Sequence, residues 1–445
     1  MENSKILKES IKEISPQLEQ TSKLWYAWVA LLSILVGLGL YALVMQILHG
    51  HIITGMRDNV VWGVYIVNFI FLMGVSYAGA LISGTLHLFK SKWRKPIIRM
   101  AEFITVIALL LGPLYIVLCV GRLDKLHYLV LFGRIQSPIT WDVIAIATDI
   151  FGCLIFLWLA LLRDFAHLRD YPDLKVAKWR KKLYNWFSFR YQDTPTQRKR
   201  LDRTMDIMSA MVISIAIIVY SVLAWIFSVT LQPGWHSTIF GPYFVIAAVY
   251  SGAAVLIVVM WVYRKIYHLE KYITKEHFIK VGVILLVLGA FFGYFTFAEY
   301  LTKWYGSEKN DELLLGLLFD KYYFLFIASN YLGVLFPMLV VGIRRFRTIP
   351  LITISAVIVI VALWINRFLI VVPTLESPYL PIQDSRIEWM FYSSTWIEWV
   401  LSIGGVASFC LFFTLGAKFV PIIPISAIEE VKAKELISQE SEIIK

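Results

Sequence analysis

The chain has 445 residues, 59% hydrophobic and only 16% charged, with a formal net charge of +11 and a mean hydropathy of +0.69. This excludes a soluble domain and leaves a polytopic helical membrane protein, since apolar runs of about 20 residues cross a bilayer as helices. The positive charge falls in short blocks between apolar runs, which reads as topological and gives no reason to expect a nucleic-acid partner.

Residues 1–24 are polar and mixed in charge, a cytoplasmic tail rather than a signal peptide. Ten spans follow, at about 25–48, 62–89, 100–120, 142–162, 207–231, 240–263, 278–301, 319–342, 350–371 and 394–416. Of the 42 Lys and Arg, 32 lie in the tails and in the loops on their side, against 9 on the opposite side. Both termini are therefore expected in the cytoplasm. The basic loop 163–206 is given a topological role and an attraction to anionic lipid. The tail 425–445 reads as a frayed or surface helix. The longer outer loops, about 121–141, 302–318 and 372–393, together suit a docking platform.

An echo runs through the middle of the chain. Gly63-Val-Tyr65 and Gly241-Pro-Tyr243 open spans 2 and 6, Tyr77-Ala-Gly79 and Tyr250-Ser-Gly252 follow, and Asp142 and Asp320 open spans 4 and 8. The expected fold class is all-α and polytopic, with about ten transmembrane helices forming two four-helix bundles plus flanking helices. The expected divisions are the tail 1–24, the first helix and outer loop 25–61, a first bundle 62–231, a second bundle 232–371, the outer loop and last helix 372–424, and the tail 425–445.

Groups able to carry chemistry gather between Cys119 and Asp149. The loop holds Arg122, Asp124, Lys125, His127 and Arg134, and the next span carries Asp142 and Asp149. Seven residues turn a helix by about 700°, so these carboxylates lie nearly one above the other, with Asp149 about 10 Å deeper. An ionisable group in a bilayer costs roughly 2.5–3.5 kcal/mol on insertion scales, which makes function the default reading. Asp142, Asp149 and His127 are the available bases. The structural alternative is a loop latch between Asp142 and Arg122 or Arg134. Asn68, Ser76, Ser83 and His87 fall within about a 100° arc of span 2, which Glu102 of span 3 extends. Helix packing is the alternative for this stripe. Trp62, Trp141, Trp235 and Trp396 stand at span starts, as interface anchors do. His236 suits a headgroup contact or an interfacial structural role.

None of the eight histidines falls near the middle of a span. A bilayer haem with axial histidines is therefore not expected. The three cysteines form no CxxC pair, which argues against an iron–sulfur cluster or zinc site in this chain. No nucleotide-binding glycine motif appears. Redox work would then need a diffusible carrier.

Several segments, in order, resemble one family. They are Trp62-Gly-Val-Tyr-Ile-Val-Asn68-Phe with Gly74 and Gly79, Arg94-Lys-Pro-Ile-Ile-Arg99-Met-Ala-Glu102, Val120-Gly-Arg122, Ser137-Pro-Ile-Thr-Trp141-Asp142-Val, and Pro233-Gly-Trp-His236 with Tyr250-Ser-Gly252. Together they are similar to the NrfD / polysulfide-reductase membrane subunit family, in its ten-span branch with the quinone-binding subunits of alternative complex III. The resemblance implies a cofactor-free quinone/quinol subunit of an inner-membrane respiratory complex. Its partners would be an extracytoplasmic ferredoxin-type iron–sulfur subunit and a molybdopterin-type oxidoreductase subunit. It places the site in the first bundle near the outer face, with Asp142 as the acid of the Trp-Asp motif and Asn68 as the polar residue of span 2.

On this reading Asp142, Asp149 and His127 are catalytic. Asn68, Arg122, Trp141, Tyr65 and His236 bind quinone, and Ser76, Ser83, His87 and Glu102 form a proton path. The chain departs from the branch at Cys119, where a histidine is expected, and in span 5, where Tyr220 and Ile226 stand for a histidine and an aspartate. The competing classes are a secondary transporter, a proton-translocating subunit without a direct redox role, and a structural anchor. Against transport, no clearly broken mid-membrane helix is legible.

Overall fold

A computed structural model describes residues 2–377 and 391–443. Among these residues ten helices are long and apolar enough to cross a membrane. They are α2 (Lys23–His49), α3 (Val64–Leu88), α4 (Lys95–Cys119), α6 (Pro138–Asp170), α8 (Pro195–Ser228), α9 (Phe240–Ile266), α10 (Lys275–Gly306), a composite eighth span (Tyr323–Gly342), α14 (Ile349–Glu376) and α15 (Trp396–Phe419). Short helices fill the connections: α5 (Tyr128–Leu131), α7 (Lys178–Phe187) and α11 (Lys309–Phe319). The chain is an all-α polytopic membrane protein. The helices at its two ends pack together on one face, here termed the terminal face, and the opposite one is the loop face.

Local sequence sets the helix starts. Thr194 caps α8 through a capping box with Gln197, followed by Pro195 in the first turn. Thr395 and Glu398 cap α15 in the same way. The Glu398 carboxylate also accepts from the Gly55 amide (2.8 Å) and the Tyr392 hydroxyl (2.6 Å), tying the loop before α3 to the last span.

In the bundle, α3 packs on α4, α8, α9 and α14, while α6 packs on α4 and α8. α9 packs on α10 and α14, and α2 pairs with α15. Small residues permit the closest approaches, as is common between membrane helices. A Cβ on Gly79 would run into the Ala101 carbonyl of α4, and Gly39 of α2 faces Gly404 of α15.

The eighth span is not a plain helix. A turn at residues 320–322 precedes α12 (Tyr323–Ile327), a π-helical stretch occupies Ala328–Leu335, and α13 (Phe336–Gly342) completes the crossing. Pro337 stands in the first turn of α13 and has no N–H to give the carbonyl of Gly333, four residues earlier. The Tyr250 hydroxyl of α9 takes that carbonyl instead, at 2.7 Å. The span changes pitch but stays continuous from Tyr323 to Gly342, so no broken mid-membrane helix is seen among the described residues.

Three further features add to the expected layout. The N-terminal segment is a packed helix, α1 (Glu2–Glu19), because Ile11, Ile14 and Leu18 form an apolar stripe that is buried. It lies against α16 (Ile425–Ile443), whose first turn is buried through Ile425 and Ile428. Much of 163–206 is helix, since α6 runs on to Asp170, α7 follows, and α8 begins at Pro195. At 33 residues α6 is about 50 Å long, well beyond a hydrocarbon core of roughly 30 Å. Finally, α4 starts at Lys95, which makes Arg99 a buried helix residue and not a loop cation. The outer connection expected at 372–393 falls mostly outside the described residues.

Candidate functional site

One face of α6 carries the site. Asp142, Asp149, Cys153, Phe156, Ala160 and Asp164 follow at steps of 7, 4, 3, 4 and 4 residues. At 100° per residue they stay within about ±40° of one line. That line is the inward face, while Ile144, Phe151 and Ile155 point outward and are exposed. Asp142 and Asp164 are about 33 Å apart along the axis (22 rises of ~1.5 Å), one hydrocarbon thickness.

The column begins at the loop face with Asp142, 7% exposed, whose Oδ1 has no hydrogen-bond partner among the described residues. Two turns deeper, Asp149 is 2% exposed and accepts from Cys153 Sγ at 3.4 Å, with the Tyr77 side chain of α3 beside it. Tyr77 in turn meets Tyr220 of α8 edge to face at 4.8 Å.

Below Cys153 lies a cavity about the size of one water, lined by Gly79, Glu102, Thr105, Cys153, Phe156 and Val212. On its far side Glu102 Oε1 accepts from Ser83 Oγ at 3.4 Å, and Glu102 Oε2 sits 3.9 Å from Arg99 Nε. Arg99 Nη2 donates to the Ala160 carbonyl (2.9 Å) and to Asp164 Oδ2 (2.8 Å). The amide of Ile425, at the start of α16, donates to Asp164 Oδ1 at 3.3 Å and closes the terminal end. Ionisable or hydroxylic groups thus recur along α3, α4 and α6 over the whole membrane depth. Between them Tyr77 Oη, Glu102 Oε2, Arg99 Nε and Arg99 Nη1 are buried without a hydrogen-bond partner among the described residues. Such groups are costly unless water or a polar ligand meets them.

The predicted site residues divide. Asp142, Asp149, Ser83 and Glu102 belong to the column. Asn68 does not, because its hydrogen-bond partners lie on α14 and α15 and not on α4 or α6. Its amide donates to Ser402 Oγ of α15 (2.7 Å) and accepts from Trp364 Nε1 of α14 (2.8 Å), bonds that join three helices. Tyr65 donates to Gln46 of α2 at 2.7 Å and also faces away. Ser76 bonds the Met73 carbonyl of its own helix. His87 meets Asp206 of α8 at 3.0 Å, at the terminal end.

Arg122, His127 and His236 lie at the loop face, outside the column. Arg122 pairs with Asp124 at 2.9 Å, and among the described residues no ion pair joins Asp142 to Arg122 or Arg134. Trp141 is partly exposed and donates to the Ile135 carbonyl, as a loop anchor would. Trp235, read as an interface anchor, is instead buried. It stacks on Trp62 with centroids 5.9 Å apart and donates to the Ile370 carbonyl at 2.7 Å.

Sequence reasoning missed Cys153, Asp164, Arg99 and Tyr77. The first two were legible from their steps of 4 and 15 residues after Asp149. Arg99 was hidden because its helix starts earlier than hydropathy indicates. A second polar group was also missed. In α14, Arg367 is 2% exposed, rests over the Phe244 ring at 4.4 Å, and has no hydrogen-bond partner for Nη1 among the described residues. Near the loop face, Glu299 accepts from Ser237 (2.6 Å) and pairs with Lys303 (2.5 Å) beside a cavity also lined by Tyr243 and Tyr300.

The family profile described as polysulphide reductase, NrfD matches residues 52–377. The chain is 30% identical over 248 residues to a putative membrane subunit of dimethyl sulfoxide reductase from Halobacterium salinarum, covering 55% of this chain and 53% of that protein. This chain thus spans about half of that relative's length. It is 20% identical over 409 residues to a selenate reductase subunit of Mesobacillus selenatarsenatis, covering 89% of this chain and 94% of that protein. It is 22% identical over 435 residues to the Hdr-like menaquinol oxidoreductase integral membrane subunit of Archaeoglobus fulgidus, covering 93% and 98%.

Proposed function

The chain belongs to the polysulphide reductase, NrfD family, and from that premise we propose that it is the quinone-interacting membrane subunit of a multi-subunit respiratory oxidoreductase. It exchanges electrons between a quinone pool and a partner subunit that carries iron–sulfur clusters, with a molybdopterin-type catalytic subunit beyond. The names of its relatives, subunits of two reductases and of a menaquinol oxidoreductase, support this reading. In this proposal the protein lies in the cytoplasmic membrane, the terminal face is cytoplasmic, and Asp142 opens outward.

One observation carries the proposal of site: a buried carboxylate at the loop-face mouth of α6 whose Oδ1 is free of partners among the described residues. Oxidising a quinol to a quinone releases two protons and two electrons. Asp142 accepts a proton from a quinol hydroxyl and returns it to water at the loop face, acting as general base. The electrons pass to the partner's clusters. Asp149, Cys153 and Tyr77 form a deeper polar wall that orients the ring or relays the second proton.

Purification of the assembled complex, followed by quinone extraction and metal analysis, tests the reading. Quinone with iron assigned to a soluble subunit supports it. A complex that neither retains quinone nor responds to quinol analogues removes it.

The column reaching Asp164 favours a second reading, in which protons cross the membrane along α6 without a direct redox role. The two separate in proteoliposomes. The redox reading expects proton release only during quinol turnover, whereas the second expects proton flux driven by a pH gradient alone.

A further inference from the structure

One face of α7 has no part in the redox reading. Its sequence, Lys-Trp-Arg-Lys-Lys-Leu-Tyr-Asn-Trp-Phe over Lys178–Phe187, holds four cations and no acid. The inner side is fixed to the protein. Arg180 donates to the Leu18 carbonyl of α1 (3.0 Å) and to the Lys418 carbonyl of α15 (2.6 Å), and the buried Tyr184 donates to the Phe419 carbonyl (2.8 Å). The outer side presents Lys178, Trp179, Lys182, Asn185 and Trp186. These positions, at i, i+1, i+4, i+7 and i+8, share one helical face.

A turn extends this face. Phe189 and Arg190 both adopt left-handed backbone, with φ of 45° and 58°, a region that residues with side chains rarely enter. Arg169 holds the turn by donating to Ser188 Oγ and to the Tyr191 carbonyl, both at 2.9 Å. The result is that Phe189 stands outward, 68% exposed, next to Trp186 at 65% and Trp179 at 57%.

The depth of this group follows from α6. Trp158 Nε1 donates to the Phe187 carbonyl at 3.0 Å, and the Phe189 ring lies edge-on to Trp158 at 5.3 Å. Trp158 is 20 residues past Pro138, about 30 Å of helical rise and thus one hydrocarbon thickness from the start of α6. The end of α7 therefore sits where the apolar core gives way to headgroups on the terminal face. Exposed tryptophan and phenylalanine at that level, beside lysines on the same helix face, match how interfacial helices meet a bilayer. The charge is of one sign and complements phosphate.

We propose that α7 and the turn through Arg190 form an in-plane anchor that binds anionic phospholipid headgroups. Trp179, Trp186 and Phe189 enter the edge of the acyl layer, and Lys178, Lys182 and Arg190 contact the phosphates.

The test is hydrogen–deuterium exchange of the full-length protein in nanodiscs of phosphatidylcholine, with and without phosphatidylglycerol. Amides 178–191 are expected to exchange severalfold more slowly when phosphatidylglycerol is present. In the triple variant K178Q/K182Q/R190Q that difference disappears while the remaining helices keep their protection. In W186A/F189A the segment exchanges faster in both lipids. Equal exchange of the wild type in the two lipids would overturn the proposal, as would a lipid difference that survives in the triple variant. Protection that appears only on adding soluble subunits, equal in both lipids, would overturn it in favour of a protein partner.

Discussion

Replacing Asp142 by asparagine separates chemistry from structure at the proposed site. Asparagine keeps the size and hydrogen-bonding capacity of the side chain but cannot take a proton. Among the described residues Asp142 Oδ1 has no partner and no cation pairs with the carboxylate, since Arg122 is occupied by Asp124. Little folding energy is therefore at stake, and the neutral amide is less costly to bury than a carboxylate. Stability is expected to change by under about 1 kcal/mol, within the range of substitutions that break no network. Loss of a general base typically lowers rate by about 10²–10⁴-fold, or roughly 2.7–5.4 kcal/mol of barrier. The assay is quinol turnover divided by assembled complex, with thermal unfolding of the same preparations. Unchanged turnover per complex would refute the role of Asp142. A fall in assembly with normal turnover in what remains would show that the residue is structural.

Other outcomes follow from the same geometry. Arg99→Leu leaves Asp164 and Glu102 buried without their cation and should destabilise the protein by about 3–5 kcal/mol, with substantial recovery in Arg99→Leu/Asp164→Leu; the shift in thermal midpoint checks both. Arg367→Met is expected to leave stability unchanged or raised. The cation–π contacts it loses are worth about 2 kcal/mol, less than the several kcal/mol regained by removing a buried charge, and a clear drop in midpoint would contradict this. At the terminal face, burial alone would raise the Asp193 carboxyl, but bonds from His167 and Arg198 and the charge of Arg163 hold it well below its ordinary value of 3.8. Its stabilising contribution is therefore complete above that value and is lost as pH falls through the lower folded one. Asp193→Asn should be less stable at neutral pH and show a shallower acid limb in unfolding midpoint against pH; an unchanged acid limb would exclude the network.

The spans and the chemical class are legible in the order of amino acids alone. Ten apolar runs separated by basic blocks suffice, because a bilayer forces each run to satisfy its own backbone as a helix. That order also determined that Asp142 and Asp149 share a face, since helical spacing is local and 100° per residue needs no neighbour. The same rule would have added Cys153 and Asp164. Which face of α3 meets which helix was not local. Asn68 and Ser83 lie near one stripe in projection, yet Asn68 is consumed by Ser402 and Trp364, roughly 300 residues away along the chain, while Ser83 faces Glu102. Burial of Arg99 is set by packing, because hydropathy places the helix start after the last cation, whereas Asp164 makes burial of that charge tolerable. The closure of the column by Ile425 and the folding of α1 onto α16 likewise depend on chain ends that meet only in the finished bundle.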